Sequence, residues 1–357
     1  MTPARFTPHG AATTSQRGAF WVGLDPVPGP AGTVMRGPMF VEWEAPVDPR
    51  PGPPWVLVHG GGGQATDYTV TPDGRPGWSR LLVEQGYTVY VVDRPGHGRS
   101  PHHPDVLGPM GPQLGYEFLR PIFVPPPDGP DSNPAAHLHT RWPGGRDPSD
   151  PVYAQCLCTS GPLLADPTAM HELEQRRIAE LLAMVGPAVV VTHSAGGPGT
   201  FAAVDAAADD VAALIAIETL GPPFAVRPEM GLDMTRYGLS CAPIAYDPPL
   251  GEGEALDTVT EVREPFGEIP VTLQADPPRR LANLSRFPIA VVTAEASMFL
   301  AFDRHLVAYL EQGGCDVELV RLADHGVHGN GHAMMLELDN DEPLAVLTGW
   351  VEGKLAG

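Results

Sequence analysis

The sequence predicts an α/β fold: a mostly parallel sheet flanked by helices, with cap insertions over one end. Two observations predict it. Short, mostly apolar runs recur at Trp55–Val58, Tyr87–Asp93, Val189–Thr192, Val211–Leu220 and Ile289–Thr293, and helical segments alternate with them. Strands that are apolar throughout belong in a parallel sheet covered on both faces. The segments that carry chemistry also follow directly on these runs, where an open α/β sheet gathers its ligands.

In chain order, two N-terminal strands are expected near Phe20–Leu24 and Val34–Trp43, with Pro/Gly-rich turns between. After the strand Trp55–Val58, a helix is expected at Trp78–Gln85, stopped by Gly86. Residues 101–168 are rich in Pro, Gly and His, show no clear period, and read as an insertion. A helix from Met170 to Met184 opens after Asp166-Pro167-Thr168. The helix after Ser194 runs to about Ala208, and residues 221–286 form a second irregular insertion. A helix near Phe302–Gln312, an alternating strand Val317–Leu322 and a last helical segment from Ala333 to about Leu355 complete the chain. The expected organisation is one domain over residues 1–357. Its core covers about 38–100, 169–220 and 287–355, and the insertions 101–168 and 221–286 fold over the strand ends as a cap.

Three motifs carry the chemistry. The run Val189-Val190-Val191-Thr192-His193-Ser194-Ala195-Gly196-Gly197 ends a strand in a serine followed by small residues. A strand–turn–helix corner that presents a nucleophile has this form, although Thr192 departs from the usual Gly of G-x-S-x-G. His59-Gly60-Gly61-Gly62-Gly63 follows Trp55–Val58, and glycines there let backbone N–H groups approach a developing oxyanion. No Gly-Lys-Ser/Thr follows, so a phosphate loop is poorly supported. The third motif is the loop Ala323–His332, which brings His325, His328 and His332 before the last helix. Each motif alone can also be read as a plain loop; their order is far more specific.

With these motifs in place, the chain resembles the α/β-hydrolase superfamily, in particular its bacterial serine carboxylesterases, over about residues 38–355. Asp93-Arg94-Pro95-Gly96-His97-Gly98-Arg99-Ser100 is similar to the superfamily's D-x-x-G-x-G-x-S turn, where His97 is a loop residue. The resemblance implies Ser194 as nucleophile and His332 as base, with His325 and His328 as the competing histidines. It implies an oxyanion hole from Gly61 or Gly62 together with Ala195, and His59 bracing that loop. For the acid, most relatives carry Asp at a turn that falls here on Ser297. Glu295 and Asp303 stand nearby. One branch takes a glutamate from the strand after the nucleophile, and Glu218-Thr219-Leu220-Gly221-Pro222-Pro223 matches it, as does the final Gly-Asn-Gly-His. A lone carboxylate at the end of so apolar a strand is costly unless it is partnered. The reading is therefore a Ser194–His332–Glu218 triad; a structural ion pair is the plain alternative for Glu218.

The resemblance implies hydrolysis of a carboxylic ester through an acyl-enzyme, without cofactor or metal. Lactone, amide or carbon–carbon hydrolysis, or acyl transfer, could use the same triad, and a non-catalytic binding protein could keep the fold. Phe118, Phe123, Trp142, Tyr153, Phe224, Tyr237 and Tyr246 are candidates for the acyl or alcohol pocket. The spacing of His102, His103, His137 and His139 fits no metal site.

Composition narrows the partners. The 357 residues are 43% hydrophobic and carry a net charge of −21, which argues against nucleic acid and anionic membranes. No run of 18 apolar residues exists, and Met1–Gly18 has no apolar signal core. Cys156, Cys158, Cys241 and Cys315 lack zinc-site spacing. The expectation is a cytoplasmic enzyme with reduced cysteines acting on a small ester or lactone, with a homodimer left open.

Overall fold

The computed structural model describes residues 14–125, 133–227, 232–262 and 269–356. Its centre is an eight-stranded sheet. The strands are β1 (Ser15–Val22), β2 (Met39–Pro46), β3 (Trp55–Val58), β4 (Val89–Asp93), β5 (Ala188–His193), β6 (Val211–Ile217), β7 (Ile289–Thr293) and β8 (Val317–Arg321). Their order across the sheet is β1-β2-β4-β3-β5-β6-β7-β8. β2 pairs antiparallel with both its neighbours, and the pairings from β4 to β8 are parallel.

The strands sort their side chains by twos. Val56 and Val58 pack on one face with Val190, Leu214 and Val291. Trp55 and Leu57 pack on the other with Val189, Val191, Ile215 and Val292. The first face is covered by α2 (Pro167–Val185), α3 (Gly197–Ala206) and α4 (Leu300–Gln312), through Ile178, Phe201 and Leu306. The second is covered by α1 (Trp78–Glu84) and α5 (Asp341–Leu355), through Trp78, Leu82, Leu344 and Leu347. Burial of each such side chain contributes roughly 1.5–3 kcal/mol, so both faces stabilise the sheet.

Several boundaries differ from the sequence reading. The expected strand Val34–Trp43 is two elements: a small hairpin, Pro26–Gly29 with Gly32–Met35, and then β2. The first insertion contains helices at Pro104–Leu107, Tyr116–Phe123 and Pro151–Thr159. Asp150 caps the last of these by accepting from the Val152 and Tyr153 N–H groups, with Pro151 in the first turn, a start signal visible in the sequence. The second insertion contributes short antiparallel pairs such as Thr258–Glu261 with Val271–Gln274. The last helix starts at Asp341 rather than near Ala333. Before it, the Leu338 N–H donates to the Arg141 carbonyl rather than along a helix, and the Arg75 guanidinium donates to the Glu337 and Leu338 carbonyls.

Strand register aligns the carboxyl ends. Val58 is level with Thr192, His193 with Ile217, and Ile217 with Val292. His59, Ser194, Glu218 and Ala294 therefore emerge along one edge of the sheet.

Candidate active site

Ser194 follows β5 directly with φ 51°, in the left-handed region, and α3 begins three residues later. A non-glycine residue there is strained, and strain of this kind gathers at functional sites. The corner is tight enough that a Cβ on Gly196 would lie 2.4 Å from the His59 carbonyl oxygen. Thr192 is fully buried, and its Oγ1 donates to Thr200 Oγ1, which donates in turn to the Gly196 carbonyl. The hydroxyl absent from G-x-S-x-G thus ties the strand to α3.

Glu218 follows β6, also with positive φ (43°), and is fully buried. Its Oε1 accepts from the Ala294 N–H at 2.7 Å. Its Oε2 accepts from Ser297 Oγ at 2.5 Å and from His332 Nδ1 at 2.6 Å. Three donors thus converge on the carboxylate and favour its charged form. Burial works the other way on both partners: it raises the Glu218 carboxyl above the usual range and lowers the His332 imidazole. A neutral His332 with its Nδ1–H on the glutamate leaves Nε2 to accept a proton, the state a general base needs.

The imidazole is held by its neighbours. Phe299 stacks on His332 at 4.5 Å with planes 10° apart, and the His193 ring lies at 4.4 Å. His193 Nε2 donates to the His332 carbonyl at 2.9 Å. Ser194, His193, His332, Gly60, Gly61 and Ala195 share the wall of one cavity of about 1030 Å³. The glycine loop is a turn, with the Gly63 N–H donating to the Gly60 carbonyl and Gly62 at φ 67°, which glycine tolerates. Gly62 bonds through its carbonyl to the Gly161 N–H in the first insertion, while Gly61 faces the cavity beside Ala195.

The competing residues lie elsewhere. Glu295 pairs with the exposed His328 and accepts from the Gly329 N–H. His325 is exposed in a short turn. Asp303 is buried and accepts from Thr293 Oγ1. His139 bonds to Glu337, which also holds the Gly331 N–H; His102 and His137 bond to the Gly108 and Pro134 carbonyls.

Of the aromatic candidates, Phe118 and Phe123 line the cavity. Trp142 and Tyr153 instead form a small separate core with Val124, and Phe224, Tyr237 and Tyr246 pack into the main core beneath the sheet. Phe299, Phe302, Leu163 and Met298 line the cavity without having been expected. Phe299 and Met298 lie just past Ser297, the turn where relatives carry Asp, which was the one signal for them.

Among the described residues, no helix is long and apolar enough to cross a membrane. All four cysteines are free.

The family described as the alpha/beta hydrolase fold matches residues 53–237. A fungal protein named "Probable secreted lipase phiG", from Fungal sp. (strain ATCC 74256), is 34% identical over 315 residues, covering 88% of this chain and 85% of that protein. A solved structure described as that of a novel bacterial esterase matches with a TM-score of 0.66 and 21% identity, over 98% of this chain and 99% of the other. At that identity the likeness is one of fold.

Proposed function

The chain belongs to the alpha/beta-hydrolase fold family, and from that premise we propose that it is a serine hydrolase cleaving a carboxylic ester through an acyl-enzyme. Ser194 Oγ attacks the ester carbonyl carbon while His332 Nε2 takes its proton, and Glu218 stabilises the imidazolium that forms. The N–H groups of Gly61 and Ala195 stabilise the tetrahedral oxyanion. Collapse expels the alcohol, protonated by His332, and water then releases the acid by the same steps. The observation that carries this reading is the buried 2.6 Å Glu218–His332 hydrogen bond behind the cavity whose wall His332 shares with Ser194.

The cavity supports an apolar ester. Leu114, Phe118, Phe123, Leu163, Met298 and Phe302 are among its lining residues, and about 1030 Å³ is at the upper end for small-molecule sites. The fungal relative is named a lipase, which agrees. The insertions 101–168 and 221–286 act as a cap, since both contribute to the cavity, for example Phe118 and Ile269. A panel of purified esters, lactones and amides tests the reaction class. Turnover of esters well above lactones and amides is the expected result; amide or lactone turnover with inert esters would displace it.

For location, the cytoplasm remains the proposal on the four free cysteines. The relative's name says secreted, which points the other way. Activity recovered in the culture supernatant rather than in the cell lysate would replace the cytoplasmic assignment.

A further inference from the structure

Beneath the two loops that meet at Ser194 lies an ion pair closed to solvent. Arg94, at the end of β4, and Glu174, in α2, both have side chains at 0% exposure, and Arg94 Nη1 donates to Glu174 Oε1 at 2.7 Å. Burying two charges is expensive, and such a pair is weak evidence for stability alone. Its contacts suggest another role. Arg94 Nη2 donates to the Gly60 carbonyl at 2.7 Å, and Nη1 reaches the Ala195 carbonyl at 3.4 Å. One guanidinium therefore touches the glycine loop and the nucleophile corner together.

The Gly60 carbonyl belongs to the same peptide unit as the Gly61 N–H. A peptide unit is planar, so fixing its oxygen fixes the direction of its N–H. That oxygen accepts from three donors: Arg94 Nη2, His59 Nδ1 at 2.9 Å and the Gly63 N–H at 3.3 Å. His59 is set for this task, because its Nε2 accepts from the Arg94 N–H, leaving Nδ1 as donor. Burial, then the adjacent guanidinium, lower its pKa and keep it neutral. The other donor is fixed in the same way, since the Ser194 carbonyl, in one peptide unit with the Ala195 N–H, accepts from the Leu220 N–H at 2.8 Å. Hydrogen bonds at the oxygen also polarise the N–H across the peptide.

We infer that Arg94, anchored by Glu174, is a positioning residue of the oxyanion hole: it aims and polarises the Gly61 N–H through the Gly60 carbonyl. The inference rests on the ester-hydrolase reading of this site. Arginine suits the task because its planar fork serves a carboxylate and two carbonyls at once, whereas a lysine ammonium cannot span them with the same geometry.

The test uses the full chain with both partners replaced by methionine (R94M/E174M), since a lone substitution strands a buried charge, and with Arg94→Lys. Readouts are the melting temperature, kcat and KM for a 4-nitrophenyl ester, and the Ki of a trifluoromethyl ketone whose hemiketal oxygen must enter the oxyanion hole. Complete loss of one such donor costs about 10²–10³ in rate; a misaimed donor should cost about 10- to 100-fold in kcat. The expected result is that loss in both variants, with KM little changed and the ketone's Ki weakened in proportion. A folded R94M/E174M with wild-type kcat and ketone affinity would overturn the inference. If that variant does not fold, Arg94→Lys decides on the same two readouts. The ester-hydrolase reading fails on a different result, retained turnover in Ser194→Ala.

Discussion

Glu218→Gln is the substitution whose consequence the geometry specifies most fully. The glutamine is isosteric, but its amide offers one acceptor and one donor where the carboxylate offers two acceptors. With its oxygen on the Ala294 N–H, as Oε1 is now, its NH₂ faces Ser297 Oγ and His332 Nδ1. His332 must then carry its proton on Nε2, the nitrogen that should receive the proton of Ser194. The flipped amide restores the tautomer but points NH₂ at a buried N–H, leaving that donor unpaired at about 1–3 kcal/mol. In either state the imidazolium loses its charged partner, at a further 1.5–3 kcal/mol for a hydrogen bond to a charged group. The sum, about 2.5–6 kcal/mol, corresponds to a kcat loss of about 10²–10⁴ at 1.36 kcal/mol per decade. Steady-state turnover of a 4-nitrophenyl ester, with a melting curve to confirm folding, measures it. Glu295→Gln, whose carboxylate meets the exposed His328, serves as control and should change kcat less than about threefold. A folded Glu218→Gln within threefold of wild type would exclude Glu218 as the acid, and a severe loss in Glu295→Gln would move the role.

Burial lowers the His332 pKa, and a base must be neutral to act, so kcat/KM should rise with pH through a limb centred below the ordinary histidine value of 6.5. Glu218→Gln removes the carboxylate acceptor at Nδ1 that favours the imidazolium and should move that limb lower still; a limb above pH 7, or one that stays fixed in the variant, contradicts the pair. Gly199→Ala should destabilise, although alanine ordinarily favours a helix by about 1 kcal/mol over glycine, because its Cβ would lie 2.0 Å from Glu174 Oε2. Overpacking of about 1–3 kcal/mol would lower the melting temperature by roughly 1–4 °C, and a raised melting temperature would show that the helix absorbs the methyl group.

Much of this arrangement could be read from the chain because its signals are local. β3 and β6 are apolar throughout and β5 is apolar up to Thr192, so their burial in a parallel sheet follows from composition, and the residue that follows each strand lands on one edge by register. Glu218 stood out as a lone carboxylate closing an apolar strand, which called for partners. The partners themselves were not legible. Ser297 is 79 residues from Glu218, and Arg94 is 80 from Glu174, so no periodicity relates them. The stacking of Phe299 on His332 depends on how the turn after β7 folds back, which backbone hydrogen bonds such as Ala296 N–H to the Asn330 carbonyl decide. Residue type alone does not separate pocket from core within the insertions: Phe224 and Tyr246 pack beneath the sheet, whereas Phe118 and Phe123 line the cavity.

The proposed chemistry rests on Ser194 as a nucleophile activated by His332. Reaction of the purified protein with a fluorophosphonate, followed by intact mass and peptide mapping, tests it most directly. A single covalent adduct on Ser194 is expected, with loss of ester turnover in step with its formation, and neither adduct nor turnover in a folded Ser194→Ala. Ester turnover that survives in Ser194→Ala, or an adduct mapped to another residue, would contradict it.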